Sequence, residues 1–159
     1  MITRVFILWL VCVTTLLFHE SGHALCYLWK GHSTIIHLSP PLFLWAETTG
    51  RITRYAPRLA LDLTSEPSKT DAVDIYQYGR IYSTIFCLSG PMCGEIWLRV
   101  LQRLYGKNIY IMMARIGNLL NLLPVHPKAD GSSLLYLHAD QKNVIYLLLC
   151  LAFYATLFH

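Results

Sequence analysis

Hydrophobic residues in this chain are gathered into four runs with polar stretches between them. The first, Val5 to Trp29, holds a single charged residue, Glu20, between Arg4 and Lys30. At about 1.5 Å per residue, a helix of that length crosses a hydrocarbon core of about 30 Å. The second run, Ile81 to Leu101, is interrupted by Glu95 and Arg99. The third, Ile109 to Leu123, carries Arg115, Asn118 and Asn121, and the fourth, Val144 to Phe158, is short for a full crossing. The pattern predicts an all-α membrane protein of about four transmembrane or partly inserted helices. They span about 5–29, 81–101, 109–123 and 144–158 of a single domain, residues 1–159. A secretory signal peptide is the rival reading of the first run, but His23 makes Ser21 to Ala24 a poor small-residue cleavage site.

Between the first two runs lies a polar stretch, His32 to Arg80, read as a loop or short β-hairpin. Thr34–Leu38 and Arg51–Tyr55 are the candidate strands, on either side of Pro40-Pro41 and an apolar patch, Leu42–Trp45. That patch suits a membrane interface, where Trp is favoured. Thr64–Asp74 reads as a charged linker, and His32, His37, His138 and His159 as loop or interface residues.

Composition agrees with the membrane reading. The chain is 55% hydrophobic and 14% charged, where soluble domains average about 25% charged. That balance argues against a soluble globule and rules out a disordered tail. The net charge of +4 is not clustered, so nucleic acid is set aside as a partner and the lipid bilayer takes its place. Five cysteines without a CxxC pair, mostly inside apolar runs, read as small buried hydrophobes. With the N-terminus outside, inner loops hold six Lys and Arg between the first two runs and two between the last two. Outer segments hold four, and the positive-inside rule favours this orientation.

Candidate chemistry sits inside the first run. His19-Glu20-Ser21-Gly22-His23 is an HExxH. On a helix its two imidazoles share one face and can bind one zinc, while the intervening Glu is placed to act on water. A catalytic zinc usually takes three protein ligands. The third is sought in the segment from Asn121 to Gly131, where Asp130 is the first candidate and His126 the rival. His19 lies 14 residues, about 21 Å, along the first run, and Asn121 12 residues, about 18 Å, along the third. In the N-out topology both runs travel inward, and Pro124 and Pro127 let Asp130 fold back to a similar depth. Glu95 and Arg115 are candidates for an interhelical ion pair. Arg115, Asn118 and Asn121, three apart, form a polar stripe facing the bundle.

HExxH in a first span, Ser89-Gly90-Pro91-Met92-Cys93-Gly94 in a later one, and Asn-x-x-Pro-x5-Asp-Gly over 121–131 resemble the site-2 protease family of intramembrane zinc metalloproteases. The resemblance implies His19, His23 and Asp130 as zinc ligands and Glu20 as general base. It implies Asn121 as an active-site residue steadying substrate or oxyanion. It also implies a transmembrane protein substrate and, from size and likeness, a bacterial inner membrane. The chain departs from the family pattern at Gly94, often Asn, at Ala129, usually Leu, and at Ser132, where a second Gly is usual. No PDZ or nucleotide-binding regulatory domain fits in 159 residues, so a minimal core is expected.

Three functions compete. The first is proteolysis of membrane-embedded segments. The second is a catalytically inactive relative that binds transmembrane helices as a scaffold or chaperone. The third is a metal transporter or sensor. Glu20 beside both histidines favours the enzyme, because a binder needs no general base.

Overall fold

The computed structural model describes residues 2–53, 55–63, 72–124, 126–127 and 129–158. In chain order they form α1 (Ile2–Trp29), β1 (Ser33–Leu38), β2 (Ala46–Arg51), β3 (Leu59–Asp62), a 3-10 turn (Ile75–Tyr78), α2 (Arg80–Tyr105), α3 (Ile109–Leu120), α4 (Asp130–Leu137) and α5 (Lys142–Phe158). The protein is mostly helical with one small sheet, so the all-α expectation gives way to a mixed architecture.

The 28-residue α1 stops where Gly31 takes φ +80°. Gly31 N–H then donates to the Leu28 carbonyl at 2.9 Å and His32 N–H to the Tyr27 carbonyl at 3.0 Å. This closes the helix end with a left-handed glycine and turns the chain into β1. Burial along α1 is inverted relative to a soluble helix. His19, Glu20 and His23 are buried, while Val5, Phe6, Leu25 and Trp29 are exposed. Among the described residues, α1 is the one helix both long and apolar enough to cross a membrane. The expectation of about four spans is narrowed accordingly. Although 26 residues long, α2 carries Arg80, Glu95, Arg99 and Arg103. The 12 residues of α3 reach only about 18 Å.

The sheet has strand order β2-β1-β3. β1 and β2 are antiparallel, with Ile35 opposite Thr49 and His37 opposite Glu47. β3 joins β1 in parallel, Asp62 opposite His37. The first candidate strand matches β1. The second is displaced: β2 ends at Arg51, where the candidate strand begins. The cause is that β2 is almost wholly polar, so hydrophobic alternation gives no sign of it. Its fit comes instead from α1: a Cβ at Gly50 would strike the Tyr27 ring. The third strand was not expected. His37 is not a loop residue but lies buried in β1, its Nδ1 3.1 Å from Asp62 Oδ2 and its Nε2 3.0 Å from Thr49 Oγ1. Of the expected linker, 64–71 lies outside the described residues, and Ala72 bridges Arg51.

After α3 the chain does not continue as a span to 123. Leu122 and Leu123 N–H groups bond the Leu119 and Leu120 carbonyls in tight turns, and α4 then starts at Asp130, which was expected in a loop. α2 packs along α1, and α3 packs against both. Arg115 Nε of α3 meets Glu95 Oε2 of α2 at 3.1 Å, and Arg115 Nη2 meets Gln102 Oε1 at 3.0 Å. This is the interhelical pair, one of two readings of Glu95 and Arg115, the other being exposure near an interface or cavity.

Candidate metal centre

His19 and His23 lie one turn apart on the α1 face turned toward α2 and α3. Their exposures are 3% and 5%, and that of Glu20 is 6%. Candidate ligand atoms of these three residues all lie within 4.8 Å of one another. Room beside the imidazoles comes from α2. A Cβ at Gly90 would lie 2.7 Å from His19 Nε2 and would collide with His23 Nε2. An ion held by both rings needs that volume, since Zn–N bonds are about 2.0–2.1 Å. Gly22 serves the same approach from α1, because a Cβ there would strike the Ser89 carbonyl.

Asp130 brings a second carboxylate to the two imidazoles. Its Oδ2 is 3.1 Å from His19 Nε2 and its Oδ1 3.4 Å from His23 Nε2. A main-chain clamp puts it there. Gly131 N–H donates to the Asn121 carbonyl at 2.9 Å, and any side chain at Gly131 would strike the Leu122 carbonyl. The end of α3 and the start of α4 are thus pressed together, which brings Asp130 and Asn121 to one place. Asn121 Nδ2 lies 3.2 Å from His19 Nε2. His126, the rival third ligand, is exposed, its ring edge-on to Trp45 at 6.2 Å.

The tautomers decide what the centre can hold. His23 Nδ1 is 2.9 Å from the Phe86 carbonyl, which only accepts, so Nδ1 carries the hydrogen. His19 Nδ1 is 2.9 Å from Asn118 Oδ1 and donates likewise. In neutral rings both Nε2 atoms then present lone pairs to a carboxylate, which also only accepts. Three acceptors face one another, an arrangement that a shared proton or a metal cation between them satisfies. Two imidazoles and a carboxylate are a ligand set that zinc takes in hydrolytic enzymes, and the residues fit that ion. Burial works to raise the Asp130 carboxyl pKa, but its bonds with His19 and His23 outweigh this and hold it below its ordinary value.

Glu20, within 4.8 Å of the imidazole ligand atoms, is tied to β2. Its Oε2 accepts from Thr48 Oγ1 at 2.8 Å, and the same hydroxyl lies 3.1 Å from the Glu20 carbonyl. The centre opens into a cavity of about 650 Å³, lined also by Asn121, by Tyr76 and by Leu44 to Thr48. Main-chain groups of β2 alternate in direction. Trp45 O accepts from Ser39 N and Gly50 O from Val73 N, so Ala46 and Thr48 turn their N–H and C=O away from β1, along the edge bordering the cavity.

Comparison with family models, curated proteins and solved structures returns no match.

The fold brings together His19, Glu20, His23, Asp130 and Asn121, all named from the sequence. It adds three residues whose part was not legible there. Thr48 lies in a polar strand with no motif. Gly90, noted only as part of the Ser89–Gly94 motif, faces the imidazoles. Asn118 belonged to a polar stripe, with no sign that His19 would be its partner.

Proposed function

We propose that this protein is an intramembrane zinc metalloprotease of site-2 protease type, cutting peptide bonds in or near transmembrane segments of membrane proteins. The carrying observation is the convergence of two imidazole Nε2 atoms and a carboxylate on one point, with a second carboxylate beside it, inside a largely apolar helical protein. Zinc held by His19, His23 and Asp130 supplies Lewis acidity toward water and the scissile carbonyl.

The chain's own residues do the rest. Glu20 takes the proton of the attacking water and returns it to the leaving amine. Thr48 holds that carboxylate in one orientation. Asn121 offers an N–H donor beside His19 for the carbonyl oxygen as it gains charge. A substrate helix hides its carbonyls in its own hydrogen bonds, so it must unwind before cleavage. The edge of β2 at Ala46 and Thr48, unpaired among the described residues, can then pair with the extended segment by strand addition.

Membrane placement follows the same reading. α1 crosses with its N-terminus outside, and α2, α3 and α5 cross or insert partly around it, in a bacterial inner membrane. Trp9 Nε1–H donates to the Leu42 carbonyl at 2.7 Å. The tip of the β1–β2 hairpin therefore lies ten residues, about 15 Å, up α1 from His19, with exposed Leu42, Leu44 and Trp45 facing lipid. Backbone at such depth is tolerated where it lines a cavity or is buried in protein.

The test is cleavage by purified protein, reconstituted in vesicles with a panel of single-span substrates. Cleavage by the wild type that Glu20→Gln abolishes is the expected result. Stable substrate binding without cleavage by a zinc-loaded wild type would favour the scaffold instead.

A further inference from the structure

Of the two imidazoles in the centre, only one depends on another side chain for its tautomer. His23 Nδ1 is held by the Phe86 carbonyl, a main-chain group that no substitution removes. His19 Nδ1 is held by the Asn118 amide. We infer that Asn118 is a positioning residue that fixes His19 in the Nδ1–H tautomer, and that Gly94 exists as the gap in α2 that admits it; the inference rests on the metal-centre reading above.

An amide can turn either end toward a ring, and only one end serves. If Asn118 presented Nδ2, His19 Nδ1 would have to accept, the hydrogen would move to Nε2, and the ligand lone pair would be lost. Pro91 prevents this. Asn118 Nδ2 donates to the Pro91 carbonyl at 2.9 Å, so Oδ1 is the end left for His19. The relay runs from the Pro91 carbonyl through Asn118 to His19 Nδ1, and its outcome is a free lone pair on Nε2 aimed at Asp130. Asn118 is 7% exposed and His19 3%, so water competes little for either bond.

The relay needs α3 to approach α2 at one level, and two features supply that. A Cβ at Gly94 would lie 2.9 Å from Asn118 Cγ and 3.0 Å from Nδ2, and would collide with Oδ1. Even a methyl group at 94 therefore expels the amide. Arg115, one turn before Asn118, pairs with Glu95, the residue after Gly94, and ties the helices together beside the gap. Groups that orient metal-binding imidazoles typically change metal affinity about 10–100-fold when removed.

The experiment uses full-length protein in detergent, with two readouts. Co2+ titration followed by visible absorption, with Zn2+ competition against a chelator, reads the metal site. Imidazole 15N–1H correlation spectra of metal-free protein, at about pH 8.5 and so above the ordinary imidazole range, read the tautomer directly. The wild type is expected to show His19 protonated on Nδ1. Asn118→Leu and Gly94→Ala are expected to weaken Co2+ and Zn2+ binding about 10–100-fold and to disturb the His19 tautomer, leaving that of His23 in place. Asn118→Asp, which keeps an acceptor for Nδ1–H, is expected to retain binding. A wild-type His19 protonated on Nε2 overturns the inference without any variant. So do folded Asn118→Leu and Gly94→Ala proteins that bind Co2+ like the wild type, with an unchanged spectrum. A wild type that binds no metal overturns the protease reading, and the tautomer spectra still decide the role of Asn118.

Discussion

His19 Nε2 and Asp130 Oδ2 lie 3.1 Å apart although 111 residues separate them in the chain. A neutral His19 that donates Nδ1–H to Asn118 Oδ1 presents an acceptor at Nε2. The Gly131–Asn121 main-chain bond brings Asp130 to it, and the bonds between carboxylate and imidazole hold the Asp130 carboxyl pKa low. A proton or a cation shared between them is the feature from which most of the predictions below follow.

Gly90→Ala should fill the volume beside both Nε2 atoms. Overpacking a closely packed crossing destabilises by about 1–3 kcal/mol, so the variant is expected to fold with a lowered melting temperature. Its zinc affinity should drop at least tenfold. Calorimetry and chelator competition on the same sample check both. Unchanged zinc affinity would place the ion elsewhere.

Glu20 and Asp130 are two carboxylates near the same imidazoles, and the account gives them different work. Glu20→Gln should retain zinc near the wild-type level while lowering cleavage by about 10²–10⁴, the usual contribution of a general base. Loss of zinc in this variant would make Glu20 a ligand and remove it as the base.

Thr48→Val should leave metal content intact and lower turnover about tenfold, since a bond to a charged group is worth about 1.5–3 kcal/mol. Thr48→Ser, which keeps the hydroxyl, should restore most of the rate. A rate loss that Ser does not rescue would point to packing of β2 against α1 instead.

Asp130 gives the metal-free protein a pH signature. Its folded carboxyl lies below the ordinary value of about 3.8, so the unfolded chain takes up the proton first. The stability that Asp130 contributes is therefore complete above about pH 4 and is lost as pH falls through the lowered folded value. Urea midpoints measured from pH 6 down to pH 3 should fall more steeply for wild type than for Asp130→Asn. Parallel curves would contradict the coupling.

The centre was more legible in the sequence than the fold around it. His19, Glu20 and His23 follow from helical spacing alone, and Asp130 from a Pro-broken segment at matching depth. The sheet was only half visible. β1 has apolar positions that bury against α1, but β2 is built of Glu47, Thr48, Thr49 and Gly50, whose reason for burial is Glu20 and Tyr27 on another element. α4 was missed because its start is set by the bond from Gly131 to Asn121, a tertiary contact. The role of Asn118 was hidden for the same kind of reason: its partners, Pro91 and His19, lie on two other helices. The four apolar runs became helices close to the expected bounds, yet one alone passes as a span on length and apolarity. Charge on α2 and the shortness of α3 keep those two from passing on the same measure.

The most direct test of the account is the zinc content of the purified protein beside His19→Ala, Asp130→Ala and His126→Ala. The account predicts about one zinc per chain in the wild type and in His126→Ala, and loss in the other two. Zinc that survives Asp130→Ala but not His126→Ala would contradict the assigned ligand set, and a folded wild type without zinc would contradict the metalloprotease itself.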